Sequence, residues 1–249
     1  MANILVAFMK SLQSLSRSAA VAFCALGLLA TGCQTRTSQP ANLAPTKAAR
    51  QDLLPDAAKD RLVAGNARYV SGASLHRDWA QARAETAKGQ FPYAVVLSCI
   101  DSRTSAEIVF DQGHGDLFSA RVAGNVLNDD ILGSMEFACK VAGARLIAVV
   151  GHTECGAIKG ACAGVKLGHL TGLLDRISPA VAEVGGGKPL DLAAHPQLVN
   201  TVAEANVRLV MRQIREQSPV LRELLDAGTV GLTGGIYDLR SGQVIFLKN

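Results

Sequence analysis

Apolar residues change their spacing several times along the chain, and each change marks an element. Within residues 57–70, Leu62, Val63, Ala67 and Val70 recur at helical spacing between polar residues, which predicts an amphipathic helix. The Ala-rich stretch 78–88 predicts a second. After Pro92 the pattern becomes a continuous apolar run, YAVVL, and residues 93–98 read as a strand buried on both faces. Residues 116–123 predict another short strand. Residues 131–142 predict a helix that Gly143 ends as a C-cap. Residues 145–150 predict the most apolar strand, closed by Gly151. Residues 156–165 read as a helix rich in small residues. Residues 196–225 read as a long helical region interrupted at Ser218-Pro219. Residues 230–247 alternate around the turn RSG and predict a hairpin.

Strands that alternate with helices predict an α/β fold with a mostly parallel central sheet and helices on both faces. The last hairpin adds an antiparallel edge strand. No internal repeat is visible. In open sheets of this kind, sites form beyond the carboxyl ends of strands, at a switch in strand order.

The first residues follow a different pattern. Lys10 and Arg17 stand without a neighbouring acid, and residues 19–30, AAVAFCALGLLA, are unbroken in their apolarity. A membrane-crossing helix needs roughly 20 such residues, so the run fits the core of a signal peptide. It ends in LATGC, which resembles the lipobox of bacterial lipoproteins, with Cys33 as the lipidated residue. Residues 1–33 are therefore expected to be a signal peptide with a lipobox, 34–54 a flexible tether rich in Thr, Ser, Gln, Pro and Ala, and 55–249 the folded domain. The expected location is outside the cytoplasm, in the periplasm, with Gln34 after Cys33 favouring the outer membrane. The only membrane contact expected is that lipid anchor.

Composition narrows the function classes. A chain of 249 residues with 49% hydrophobic residues suits one well-packed domain of about 200 residues plus extensions. Aromatics are only 4%, which favours close-packed helices on a sheet over an aromatic-rich binding surface. The net charge of +4 is small, and no basic stripe is interleaved with aromatics, so nucleic acid is not an expected partner.

Two of the predicted strands end in residues that carry chemistry. SCIDSR follows YAVVL, and GHTECG follows LIAVV. Side chains on a strand alternate between faces, so Cys99, Asp101 and Arg103 are expected to point the same way. His152 and Cys155 lie three apart in a strand-to-helix turn, a spacing that lets both reach one metal. Side by side, the two ends offer two thiols, an imidazole and a carboxylate. That set suits Zn²⁺ and not Ca²⁺ or Mg²⁺, which need oxygen-rich cages. Two thiolates and one imidazole leave a position for water, whose pKa falls from ~15.7 to about 7 on zinc.

Each residue also has a plainer explanation. A cysteine at a strand end is most often a small buried hydrophobe, and a lone histidine most often a structural hydrogen-bonder. Asp101 with Arg103 is a possible surface ion pair of little worth. Cys99 with Cys155 is a possible disulfide in an oxidising compartment. Taken together at two parallel strand ends, the metal reading accounts for all of them, whereas the disulfide accounts for neither His152 nor Asp101.

CIDSR, followed by FDQGHGDLFSARVAGN and then GHTECGAIKGA, resembles the β-class carbonic anhydrases, and RLVAGNARYVSG and GGIYDLRSGQVIFL extend the resemblance over about residues 55–247. The resemblance implies a zinc enzyme that reversibly hydrates CO₂ to bicarbonate and a proton by attack of zinc-bound hydroxide. It implies Cys99, His152 and Cys155 as zinc ligands and Asp101 and Arg103 as a catalytic dyad. Arg103 holds Asp101 away from zinc in an open form, and Asp101 takes the fourth zinc position in a closed form. Gln90 matches an amide that donates to bicarbonate, and Phe118, Val122 and Phe137 match an apolar wall. Phe137 stands where plant-like members carry Tyr. A homodimer or higher homo-oligomer is implied, with pockets at the interface. One subtype locks its closed form with bicarbonate through Trp, Arg and Tyr; here those positions are Val96, Arg121 and Tyr237, which favours the plant-like subtype. His76, His114, His169 and His195 are available as proton relays.

Two rival activities share these residues. A COS or CS₂ hydrolase would use the same zinc site. A non-catalytic zinc-binding lipoprotein would keep the three ligands but have no use for Asp101, Arg103 and Gln90. A thiol-redox role lacks the second close thiol of a C-x-x-C pair.

Overall fold

The computed structural model of the protein describes residues 46–48 and 52–248. The expected leader, the lipobox with Cys33 and the tether up to residue 45 lie outside the described residues.

The sheet has five strands in the order β2-β1-β3-β4-β5. These are β1 (Ala94–Ser98), β2 (Leu117–Arg121), β3 (Leu146–His152), β4 (Gly231–Tyr237) and β5 (Val244–Phe246). Strands β1 to β4 run parallel to one another, and β5 runs antiparallel to β4. The expected α/β architecture with an antiparallel edge is therefore present.

The apolar runs are continuous because the two central strands are covered on both faces. Val95, Leu97, Ile147 and Val149 point into one core. That core is completed by α4 (Asp129–Glu136), α8 (Leu198–Gln217) and α9 (Pro219–Asp226). Ala94, Val96, Leu146, Ala148 and Val150 point into the other. There they meet α1 (Pro55–Val70) and α3 (Ala106–Val109). The remaining helix of the N-terminal part, α2 (Trp79–Thr86), is capped by the Asp78 carboxylate, which accepts from the Gln81 N–H at 2.9 Å.

A third cluster lies beyond the carboxyl ends of β1 and β3. It gathers Cys99 and Cys155 with Val126, Ile158, Leu174 and Ile177. The helices α5 (Gly156–Cys162), α6 (Gly168–Asp175) and α7 (Ser178–Gly185) enclose it together with the first half of α8. Two glycines let α8 reach the sheet. A Cβ on Gly151 would stand 2.9 Å from Val207, and one on Gly234 would stand 2.7 Å from Val207 and 2.6 Å from Met211.

Several boundaries differ from those the residue pattern predicts. Strand β3 does not close at Gly151 but runs through His152, because β4 pairs with it residue for residue as far as Tyr237. The helix expected over 131–142 begins two residues earlier, where the Asn128 side chain accepts from the Ile131 N–H at 2.8 Å. It widens into a π-helical turn over Phe137–Val141, and Gly143 ends it at φ 79° as expected. The helix expected over 156–165 stops at Cys162. Helices α6 and α7 arise in a stretch whose Gly and Pro mask the helical period, with Pro179 in the first turn of α7, where its missing N–H is harmless.

Candidate metal centre

Strand β1 ends at Ser98, and residues from Cys99 onward turn away from the sheet. Strand alternation therefore does not govern Cys99, Asp101 and Arg103. A tight turn does so instead. The Thr104 hydroxyl donates to the Cys99 carbonyl at 2.9 Å, and the Thr104 N–H donates to the Asp101 carbonyl at 3.0 Å. From β2, Arg121 donates through Nε to the Cys99 carbonyl at 3.0 Å and through Nη2 to the Asp101 carbonyl at 2.6 Å. The turn is thus pinned from both sides, and Cys99 is left pointing inward, 4% exposed.

Asp101 and Arg103 meet within that turn. The Arg103 guanidinium donates through Nε to Oδ1 at 2.9 Å and through Nη2 to Oδ2 at 2.7 Å. Its backbone N–H adds a third bond to Oδ1 at 3.0 Å. This is the two-pronged geometry in which a guanidinium binds a carboxylate best. The Arg103 hydrogen bonds outweigh desolvation and hold the Asp101 carboxyl well below the usual carboxylate range. Its Oδ2 lies 4.0 Å from His152 Nε2.

The second half of the site is built at the end of β3. His152 Nδ1 lies 2.9 Å from the carbonyl of Thr153. A carbonyl only accepts, so Nδ1 carries the proton and Nε2 is left as a lone-pair donor. Nε2 is buried and has no hydrogen-bond partner among the described residues. Between His152 and Cys155 the chain passes through Glu154 at φ 58°, a left-handed conformation uncommon for a residue with a side chain. Asn200 of α8 stabilises it by accepting the Glu154 N–H at 3.0 Å. Cys155 then caps α5 in an extended conformation.

Cys99 Sγ and Cys155 Sγ are 4.0 Å apart, and both sulfurs and one His152 ring nitrogen lie within 4.8 Å of one another. All three residues are buried. Sulfurs at 2.3 Å from a tetrahedral zinc would be about 3.8 Å apart. The sulfur spacing, the orphaned Nε2 and the soft donor set all fit Zn²⁺. A disulfide would need the sulfurs at ~2.05 Å, and Cys99, Cys139, Cys155 and Cys162 are all free thiols. The Cys155 hydrogen bond, more than the His152 and Gly124 contacts, pulls the Cys99 thiol down from its ordinary range. That same bond, with burial, pushes the Cys155 thiol up.

A further contact reaches Cys99 from the 3₁₀ turn Ala123–Asn125, where the Gly124 N–H donates to Sγ at 3.3 Å. Asn206 of α8 donates from Nδ2 to the Gly124 carbonyl at 2.9 Å. Residue patterning misses both Asn200 and Asn206, because a polar residue on a long helix reads as solvent-facing. The available signal is that Asn206 sits at the helical spacing of the apolar Val199, Val202 and Val210, where a buried polar group needs a partner.

The structure brings Cys99, Asp101, Arg103, His152 and Cys155 together, with Val122 packed on the same cluster. It does not bring Gln90, Phe118 or Phe137 to the donors. Gln90 is exposed and lines a cleft with Thr86, Glu107 and His114. Phe118 and Phe137 meet edge to face, 6.2 Å between centroids, in a concavity shared with Arg121 and Ile131. None of the three donors lines either surface. Val96 and Tyr237 line a small separate cavity with Ser98 and Thr104, and the Tyr237 hydroxyl is 3.2 Å from that of Tyr69.

The family profile described as "Carbonic anhydrase" matches residues 94–244. A carbonic anhydrase of Mycolicibacterium smegmatis is 36% identical over 196 residues, which cover 76% of this chain and 92% of that one. Among solved structures, the β-carbonic anhydrase CafA of Aspergillus fumigatus aligns at a TM-score of 0.61 and 25% identity, over 76% of this chain and 90% of its own. A structure of two tetrameric β-carbonic anhydrases from Sordaria macrospora aligns at 0.59 and 22% identity, over 66% of this chain and 84% of its own.

Proposed function

The chain belongs to the β-class carbonic anhydrases, and from that premise we propose that Cys99, His152 and Cys155 hold a catalytic Zn²⁺ for the reversible hydration of CO₂. The observation that carries the metal is the buried, partnerless Nε2 of His152 facing two thiols. When bound, Zn²⁺ supplies Lewis acidity that makes water nucleophilic near neutral pH.

The remaining steps fall to the chain's own residues. Asp101, kept anionic by Arg103, accepts a hydrogen bond from the attacking water and orients its lone pair. The water oxygen forms a bond to the CO₂ carbon, one C=O pair moves onto oxygen, and the surplus proton passes to buffer. Val122 supplies an apolar flank that does not solvate CO₂. Arg121 keeps the Cys99–Asp101 turn in place through two backbone carbonyls. The same Asp101 carboxylate is offered two cations, Arg103 and the metal, and a closed form would follow from its transfer to the second.

Gln90, Phe118 and Phe137 lie on surfaces apart from the donors, and we assign them to the pocket of a neighbouring copy. A homodimer or larger homo-oligomer then completes each site, in keeping with the tetrameric relatives from Sordaria. The deciding experiment is a metal analysis of the purified protein alongside a CO₂ hydration assay, with COS hydrolysis measured in parallel. One equivalent of zinc per chain with rapid CO₂ hydration is expected. Zinc without hydration, or COS turnover alone, would reject the assignment.

We further propose export and lipid anchoring through Cys33, on the strength of residues 29–33, LATGC. No helix among the described residues is long and apolar enough to cross a membrane. In bacteria fed labelled palmitate, the protein should carry label and Cys33→Ser should not. An unlabelled parent would refute the anchor.

A further inference from the structure

We propose that Asn206 and Asn200 of α8 are positioning residues for the metal centre, the first holding the 3₁₀ turn that donates a hydrogen bond to Cys99 and the second holding the turn that carries His152 and Cys155. The inference rests on the zinc reading above.

The first loop is the 3₁₀ turn after β2. Asn206 is 1% exposed, and its Nδ2 donates to the Gly124 carbonyl at 2.9 Å. Gly124 stands at φ +66°, and a Cβ there would meet Ile177 at 2.7 Å and Ala157 at 3.2 Å. Held in that left-handed conformation, its N–H donates to Cys99 Sγ at 3.3 Å. Asn206 thus fixes the peptide that aims a hydrogen bond at a metal-binding sulfur. An N–H on a thiolate ligand withdraws charge from it and restricts its direction, as outer hydrogen bonds do at metal sites generally.

The second loop is the turn from His152 to Cys155. There the Asn200 Oδ1 accepts the Glu154 N–H at 3.0 Å, supporting the left-handed residue that lets both ligands converge. One helix therefore sets the position of Cys99 relative to His152 and Cys155, although the two groups leave different strands.

A purely structural explanation for Asn206 accounts for less. Its Oδ1 is buried and has no partner among the described residues. A half-paired amide is an unfavourable core residue, so its use lies in the one donor it supplies. Val210, one turn along the same helix and 1% exposed, belongs to the core cluster on the face of β1 and β3 and not to the one that holds Cys99 and Cys155, and serves as the comparison.

The test uses full-length zinc-loaded protein and the variants Asn206→Leu, Asn200→Ala and Val210→Ala. Zinc affinity is measured by chelator competition. The thiolate-to-metal absorption of the Co²⁺-substituted forms is recorded alongside the melting midpoint of each metal-free protein. Asn206→Leu and Asn200→Ala should bind zinc about 10–100-fold more weakly, with a displaced Co²⁺ absorption band. Val210→Ala should melt earlier yet keep the parent's zinc affinity and spectrum. If Asn206→Leu does not fold, Asn200→Ala, half-exposed near the start of the helix, carries the same comparison. Zinc affinities within about twofold of the parent, or an equal loss in Val210→Ala, would overturn the proposal while leaving the zinc enzyme intact. A parent that binds no zinc would overturn both.

Discussion

Cys155→Ala is expected to lose zinc and CO₂ hydration together, down to the uncatalysed rate. Two of the three donors would remain, but Cys99 would lose the sulfur that stands 4.0 Å from its own. A single thiolate and one imidazole leave a site with the wrong ligand count and weak retention. The fold should survive, because truncating one buried sulfur typically destabilises by about 1–2 kcal/mol. Cys162→Ala is the matched control. That thiol is half-buried on α5 and stands outside the donor group, so its variant should retain full zinc and full activity. Metal content by atomic emission and stopped-flow hydration, on folded samples judged by circular dichroism, check the pair. Zinc retained in Cys155→Ala would remove this cysteine from the ligand set.

Asp101→Ala should separate what Cys155→Ala loses at once. Asp101 is not one of the three clustered donors, and its carboxylate is engaged by Arg103 at 2.7 Å and 2.9 Å. Zinc content is therefore expected to match the parent. Turnover should fall by ~10²–10⁴-fold, the usual contribution of a group that holds a proton in the transition state. The ion pair itself has little structural worth, since Arg103 has a side chain 58% exposed. Stability should consequently change far less than rate. A variant with more than about a tenth of the parent's turnover would place the orienting role elsewhere.

The sequence made the chemistry legible more fully than its geometry. The order and spacing of C-x-D-x-R and H-x-x-C identify the donors, and both motifs lie at the ends of apolar runs that form β1 and β3. Patterning placed the end of β1 at Ser98, where the structure has it, but could not show that the chain then leaves the strand path, so that alternation does not govern Cys99, Asp101 and Arg103. Beyond Ser98 the turn is held locally by Thr104 and from β2 by Arg121, and the second of these contacts comes from a distant part of the chain. The reach of β3 to His152 depends in the same way on β4, whose pairing partner Tyr237 is distant in sequence. Gln90, Phe118 and Phe137 were legible as residue types but not as members of this chain's own pocket, because their surfaces lie away from its donors. Asn200 was invisible, and Asn206 legible only as a polar residue at a core position of its helix, for a simpler reason. Their meaning comes from the loops they touch, and nothing in a helical period marks a loop packed against it.

The pairing of β1 with β3 also dictates when the metal can be captured. His152 and Cys155 are neighbours in the chain, but Cys99 reaches them only after two parallel strands have docked in register, Ser98 beside Val150. Parallel pairing brings together segments far apart in sequence, and such contacts form slowly. A nascent or unfolded chain therefore offers a metal ion a weak two-donor site, and the tight site appears with the sheet. Assembly of the centre and cooperative folding become one event. Free zinc should then raise the apparent melting temperature by mass action while leaving the early, local steps of refolding at their metal-free rates.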